Sequence, residues 1–549
     1  MQTTLLGLAI AFIIALLAAL IGPYFIDWNR FRPQFEAEAS KIIGAPVRVA
    51  GSLEARLLPV PSLRLRSVVV GGANDLGKVR AERLDVEFSL GDLMRGEWRA
   101  NELSIDGIAL DLGLDRDGHL DWPASNGTFD PASLAIDRLN LTGRVALHDA
   151  ASLTTLELSD IAFSGDVRSL AGSLRGGGHF TLWGARYPFR VSSGQGAGGS
   201  GTRVHLTIDS AERALSVDIE GMLGFASRSP HFEGAVTLAS PPPPRTDSGE
   251  GAATPWRIAT RVKADHAAAQ IEQVEATYGK EDRALKFSGF GEIGFGSSPL
   301  LRATLSARQL DADKLIAGEN AADNGAVVPL SVLPSLRAAM ASLPRPPIAA
   351  RIEAAVEQIT LGGRPLQNLS ASLRGDATSW AIDHLDIRAP GATHVVFAAA
   401  GASANLAGTL DIESSDPEAL LNWLQGRSDL ASRSQKPLRL HGDVGVASGR
   451  FTVNALRAEI EGGVIEGRVA LDASAEAGGS RLEAALKAER LDLDAAAAFA
   501  RTIVGPQAEW PEQAAVSLDI DRVMLAGQEL HPFAVKFGYS PKIVALEQL

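Results

Sequence analysis

The sequence predicts a mainly β protein carried behind one apolar helix, and three observations predict it. From Met1 to Ile26 there is no charged side chain, and Leu5–Ile21 is almost entirely Leu, Ile, Ala and Phe. Beyond it, apolar residues recur at every second position in segment after segment, the period of a strand with one face turned from water. Helical spacing is confined to a few short stretches. The expected fold is an N-terminal transmembrane helix followed by a repetitive, mostly antiparallel sheet.

A bilayer core takes about 20 apolar residues at 1.5 Å rise each, so Met1–Ile26 can span one. Leu5, Leu6, Ile10, Phe12, Ile13, Ile14, Leu16, Leu17, Leu20 and Ile21 supply the apolar bulk of this anchor. Tyr24, Phe25 and Trp28 stand where an interfacial aromatic belt belongs. A cleaved signal peptide would need a basic start and a small-x-small site. Met1-Gln2-Thr3-Thr4 offers no basic residue, and no such site precedes Gly22-Pro23. Arg30 and Arg32 follow the span and favour a cytoplasmic body, but long domains cross regardless of charge. Charge alone leaves the orientation open.

After the anchor, Phe31, Phe35, Ala39 and Ile42 share one face at helical spacing, so Asp27–Gly44 reads as a short amphipathic helix stopped at Gly44. Strand patterns then take over. Leu103 and Ile105 alternate, and Ile108, Leu110 and Leu112 alternate in the opposite parity. The switch at Asp106-Gly107 predicts a bulge inside one strand. Leu139, Leu141, Val145 and Leu147 keep one parity, as do Val204, Leu206 and Ile208, then Leu215, Val217 and Ile219. Further helical stretches are Val332–Leu343, Pro417–Gln425 behind an Asp416 cap, and Leu493–Ile503.

Composition divides the chain into an anchor (1–26), a first β region (27–240), a linker (241–255) opening with Pro241–Pro244, and a second β region (256–549). The second region repeats itself. Leu305–Asp313 matches Leu486–Asp494, Ile359–Leu366 matches Val523–Leu530, and Trp380–Leu385 matches Val544–Leu549. The repeats cover about residues 300–390 and 481–549. Each unit is a strand, a helix-bearing crossover and successive strands. Because the second copy lacks the continuation found at Asp386–Gly391, the chain is expected to be a truncated form of a longer protein.

Several function classes are excluded. A net charge of -13 without a long basic run is no nucleic-acid footprint. The absence of cysteine removes disulfides, zinc–thiolate sites and thiol catalysis. The ten histidines show no metal-ligand spacing, and no nucleophile elbow or phosphate loop occurs. In the cluster Asp111, Asp115, Asp117 and Asp121, an EF-hand would need ligands where Gly113 and Ala124 stand. Asp117-Gly118 reads instead as a hairpin turn. The expectation is a non-enzyme with no catalytic residue, cofactor or metal. Hydrophobic content of 46% with only 6% aromatic residues implies aliphatic apolar surfaces.

The run Leu90–Trp122 resembles the N-terminal signature of the AsmA family. Its parts are Leu93, Arg95-Gly96, the strands Leu103–Leu112, the Asp117-Gly118 turn and Trp122. Gly44–Gly51, Leu139–Phe163 and Leu361-Gly362-Gly363 are similar to other parts of that family. The missing basic residues before the anchor depart from its pattern.

The resemblance implies a single-pass anchor in a bacterial inner membrane with the body in the periplasm. It further implies an elongated, groove-forming sheet related to bridge-like lipid-transfer proteins. The groove candidates are Leu103, Ile105, Leu110, Leu112, Leu139, Leu141, Val145, Leu147, Leu206, Ile208, Val217 and Ile219. Phospholipid is the expected ligand, the inner membrane a partner, and an outer-membrane or periplasmic protein a further one. The leading function is lipid binding that supports phospholipid transport and outer-membrane assembly. The alternative is an assembly factor for outer-membrane proteins with a closed core and no lipid transfer.

Overall fold

The computed structural model describes Ile21 and residues 26–548 except 44, 72–77, 96–98, 122–134, 168–172, 197–200, 211–214, 227–228, 241–253, 280–283, 314–328, 330–342, 344, 402–405, 427–436, 448–449, 461, 473–479, 493–510, 526–527 and 541–542. The anchor residues other than Ile21 and Ile26, the stretch Val332–Leu343 apart from Leu343, and Leu493–Ile503 therefore lie outside the described residues. Among the described residues no helix is long and apolar enough to cross a membrane. The chain forms two compact units, Met1–Gln273 with Glu292–Pro299 and Val274–Gly291 with Leu300–Leu549.

The first unit opens with a 3-10 turn, Trp28–Phe31, and helix α1, Arg32–Ile43. Trp28, Phe35, Ala39 and Ile43 of this segment pack on Val47, Val49, Leu53, Leu65, Val68 and Ala81. Phe31 does not join them. The 3-10 turn winds more tightly than an α-helix, and its side chain stays 48% exposed. The side chain of Ile42 lies outside the described residues. Polar side chains tie the helix to the sheet: Val49 donates its N–H to Glu36 Oε1 at 2.6 Å, and Val47 to Ser40 Oγ at 2.8 Å.

The strands of this unit are β1 (Val47–Val49), β2 (Leu53–Arg56), β3 (Ser62–Val70), β4 (Lys78–Phe88), β5 (Arg99–Leu114), β6 (Leu120–Asp121), β7 (Ala135–Asp149) and β8 (Thr154–Val167). Then follow β9 (Leu174–Leu182), β10 (Ala185–Gln195), β11 (Thr202–Ser210), β12 (Leu215–Ala226), β13 (Ser229–Ala239) and β14 (Trp256–Ala264). Helix α2 (Leu90–Met94) joins β4 to β5. Each strand from β7 to β14 pairs antiparallel with the next. β13 and β14, which flank residues 241–253, pair directly.

The parity switch in β5 is resolved by its register. β5 and β7 run parallel, with Ile105 opposite Leu141 and Leu110 opposite Val145, and a bulge between. Gly107, at φ +66°, supplies the extra residue in a conformation that glycine adopts without strain. Both halves of β5 thereby present their apolar side chains to the same face of β7.

β15 (Ala268–Tyr278) and β16 (Leu285–Gly294) are each divided between the units. The second unit continues with β17 (Leu300–Asp311), β18 (Ala349–Leu361), β19 (Arg364–Gly375), β20 (Trp380–Ala389), β21 (Thr393–Ala399) and β22 (Leu406–Ser414). Helix α3 (Pro417–Leu424) precedes β23 (Leu438–Ala447), β24 (Arg450–Ile460), β25 (Gly463–Asp472) and β26 (Arg481–Asp492). The last strands are β27 (Gln513–Leu525), β28 (Gln528–Leu530), β29 (Phe533–Ser540) and β30 (Ile543–Gln548).

The internal repeat is a repeat of register. β17 pairs parallel with β18, and β26 with β27. Leu310 stands opposite Ile359 in the first copy, and the matching Leu491 opposite Val523 in the second. Ile359 then meets Leu366 as Val523 meets Leu530, and Ile352 meets Leu373 as Val516 meets Phe537. Even the bulges correspond, between Ser372 and Leu373 and between Lys536 and Phe537. The first unit uses the same device once, in β5 and β7.

Helix α3 forms where Asp416 and Pro417 predict it. Asp416 Oδ1 accepts the Ala419 N–H at 3.1 Å, and Pro417 occupies the first turn, where its missing N–H costs nothing. The helix buries Leu420 and Trp423 against Leu366, and Trp423 Nε1 donates to Leu361 O at 2.8 Å. Asp416→Ala is expected to cost about 1 kcal/mol through the lost cap. Hydrogen exchange should quicken in Ala419–Leu424 and leave β13 unchanged; unchanged exchange in the helix would contradict the role of the cap.

Candidate functional site

The registers of the first unit thread residues into rows that run across the strands. One row reads Leu53, Leu65, Leu84, Ile105, Leu141, Phe163, Gly178, Phe189, Ile208, Val217, Leu238 and Ile258. It takes one residue from each strand of β2–β14 except β6, and every member is apolar or glycine. The next row on the same face carries Val86, Leu103, Leu139, Val191, Leu206, Ile219 and Val236, with Gly165 and Gly176 between Leu139 and Val191. Across the β5 bulge, Leu110 pairs with Val145 and Leu112 with Leu147. All twelve groove candidates thus fall on one face of one sheet.

Their burial separates this face from an ordinary core. All twelve are half-buried. Three lie beside closed packing: Leu103 and Leu139 touch the buried cluster Ala100, Ile136 and Val167, and Ile105 touches the cluster under α1. Farther along, Leu206, Ile208, Val217 and Ile219 retain partial exposure on adjoining strands. The face is covered by α1 over β1–β4 and is less enclosed over β11 and β12.

An aromatic component corrects the aliphatic expectation. Phe163 and Phe189 stack with centroids 6.3 Å apart, Phe180 lies 5.9 Å from Phe189, and Phe180 stacks on Tyr187 at 5.4 Å. The Phe163 ring occupies the space over the paired glycines Gly165 and Gly176, where an added Cβ would come within 2.7 Å and 2.6 Å of it. Phe232 lies in the same way over the pair Gly221 and Gly234. Each ring therefore lies along the sheet and fills the gap that the glycines leave. The Phe-x-Gly spacing in β8 and β13 was the available signal, but the cross-strand glycine partners depend on register.

The opposite face is polar. Its matching row reads Glu54, Arg64, Asp85, Ser104, Asn140 and Ser164, then Gly177, Arg190, Thr207, Asp218 and Thr237. Asn140 links the row by donating to Glu102 Oε1 at 2.8 Å and accepting from Ser164 Oγ at 2.7 Å. His205 Nε2 lies 2.9 Å from Asp218 Oδ2. The strands thus carry one apolar and one hydrophilic surface.

Burial pushes the Asp85 carboxyl up, but hydrogen bonds and charge from Arg83 and Arg64 outweigh it and hold the group below its ordinary range. Asp376 is lowered by the Thr378 hydroxyl and by backbone N–H groups, and Asp265 by the N–H groups of Ala268 and Ala267. A carboxylate depressed by folding contributes stability that is complete above its unfolded value of about 3.9 and is lost as pH falls through the folded value. Melting temperature should hold from pH 7 to about 5 and fall below about 4. A thermal melt unchanged down to pH 3 would contradict this.

Asp115, Asp117 and His119 bring possible ligand atoms within 4.8 Å of one another. Asp115 Oδ1 accepts the N–H groups of Asp117 and His119, which makes this carboxylate the organiser of its own turn. Asp117-Gly118 forms the predicted turn between β5 and β6. Asp111 receives Arg144 Nη1 at 3.1 Å.

The second unit is two-faced as well. Ile387, Val395, Ile412, Leu440, Ala458, Ile465, Ala488, Ile520 and Phe533 form one row. Asp386, Asp411, His441, Arg457, Glu466 and Lys487 lie on the other face. Part of the apolar row is closed core, with Ile520 2% exposed.

No curated protein and no solved structure matches the chain. The model of the AsmA family matches residues 1–172.

Proposed function

We infer that this chain, an AsmA family protein by its residues 1–172, holds lipid acyl chains along the apolar face of its sheet. In this reading it serves phospholipid transport and outer-membrane assembly. Met1–Ile26 anchors it in the inner membrane, and the body stands in the periplasm.

The observation that carries the reading is the continuous apolar row from Leu53 to Ile258, backed by a polar face and left half-buried over β11 and β12. Hydrocarbon laid along such a face gains about 25 cal/mol for each Å² removed from water, without any directional contact. That gain is spread evenly along the row, so a chain can shift from strand to strand without leaving a strong site. No nucleophile, acid–base pair or metal enters the process.

A photo-cross-linking amino acid placed at Val217 or Ile208 of the full chain, in cells, tests this reading. Phospholipid adducts are expected from both sites and not from Ser192 or Thr237 on the polar face. Absence of lipid from Val217 and Ile208 would overturn it in favour of a closed-core assembly factor.

A further inference from the structure

The two rims of the first unit's sheet meet, among the described residues, where the turn after β5 reaches the start of β13. β5, β7, β9, β11 and β13 run in the same sense, so the C-terminal end of β5 and the N-terminal end of β13 lie on opposite rims. Six strands, β7 to β12, separate β5 from β13 along the sheet. Yet the Asp115–His119 turn rests on the start of β13 and on the turn after β14. Ser229 Oγ donates to Gly118 O at 3.3 Å and lies 3.4 Å from His266 Nδ1. His266 packs its ring against Gly118 so closely that an added Cβ would fall 1.9 Å from Cγ. Gly118 is itself buried, at φ +78°.

A sheet whose opposite rims touch at a turn is curled across its strands, so that one of its faces turns inward. The apolar face is the inner one in this reading: the charged or basic side chains Arg190, His205, Glu220 and Arg261 of the other face are exposed, and the apolar positions beside them are half-buried, as are Thr207, Asp218 and Thr237 of the polar row. The seam is slight. Among the described residues its contacts are those of one hydroxyl, one imidazole and one glycine, where neighbouring strands are joined by whole ladders.

We propose that the Gly118–Ser229–His266 contact is a side gate on the apolar track. Shut, it closes the loop of β5–β13 around hydrocarbon. Parted, it admits the acyl chains of a phospholipid sideways, with the headgroup left in water. Gly118 is required because only a residue without a side chain lets the His266 ring seat on the turn. This inference rests on the lipid reading above.

The chain contains no cysteine, so a disulfide between Gly118→Cys and His266→Cys can lock the rims without competing thiols. The full chain in nanodiscs, with the photo-cross-linker at Val217, is presented with donor vesicles of deuterated phosphatidylethanolamine and phosphatidylglycerol. The rate at which deuterated adduct appears is then read. Oxidation is expected to slow it tenfold or more, and reduction to restore it. Gly118→Asn, whose residue tolerates positive φ but displaces the His266 ring, should quicken it in a folded chain. An oxidised pair that loads at the unlocked rate would overturn the gate while leaving the lipid reading intact. Failure of the disulfide to form would show the rims apart and overturn it too. An unmodified chain that takes up no deuterated lipid would remove the lipid reading and the gate with it.

Discussion

Leu206→Asp is expected to reduce phospholipid adducts at Val217 by about two orders of magnitude while the protein stays folded. Leu206 lies between Val191 and Ile219 in the second apolar row and is half-buried. A carboxylate there must be desolvated by any chain laid across it. The cost of a charge in hydrocarbon is roughly 2.5–3.5 kcal/mol on insertion scales, and about 1.4 kcal/mol is a factor of ten in affinity. The cost to the fold is smaller, because the side chain keeps access to water and strand preference spans only about 1 kcal/mol. Ser192→Asp is the matched control. It introduces the same charge on the neighbouring strand but on the polar face, between Arg175 and His205. Adduct yield and melting temperature measured together decide the matter. Equal loss of lipid in both variants, or unfolding by Leu206→Asp, would remove the distinction between the two faces.

That distinction was legible in the sequence wherever a strand carried its own alternation. Leu139, Leu141, Val145 and Leu147 fix the inner face of β7 without any partner. The opposed parities of Ile105 and Leu110 required a bulge, and Gly107 was the residue able to form it. The repeat was legible for the same reason. Matched segments such as Leu305–Asp313 and Leu486–Asp494 lie in strands, where a shift of one residue would reverse every side chain. What stayed hidden depends on pairing between distant segments. Nothing in Phe163-Ser164-Gly165 alone tells that Gly176 will lie opposite Gly165, so the aromatic floor of β8–β10 could not be read. The contact of Gly118 with Ser229 joins residues whose meeting depends on the accumulated curl of every strand between them. Helical spacing places Phe31 on the packed face, but the turn before Arg32 is 3-10 wound, which shifts the angular position of its residues.

Ile520→Ala is expected to destabilise the second unit by about 2–5 kcal/mol, the usual range for truncating a fully enclosed aliphatic side chain. Ile520 is 2% exposed and shares a cluster with Leu491 and Val523, packed on Ile465, Leu518 and Phe533. At roughly 2–4 °C for each kcal/mol in a unit of this size, the calorimetric transition of the second unit should fall by about 5–15 °C. The loss should be centred on the second unit, which holds the whole Ile520 cluster. Leu206→Ala supplies the contrast, because a half-buried side chain loses less burial when shortened than an enclosed one and leaves no sealed cavity. The repeat sharpens the test further. Val356 occupies in the first copy the place that Ile520 holds in the second, and it is 3% exposed. Val356→Ala should therefore act on the same unit in the same direction, with a smaller effect because fewer methylenes are lost. A shift under 2 °C for Ile520→Ala would mean that its cluster is not closed core, and an equal shift for Leu206→Ala would mean that the row over β11 and β12 is. The half-buried face could then no longer be read as a surface kept free for a ligand.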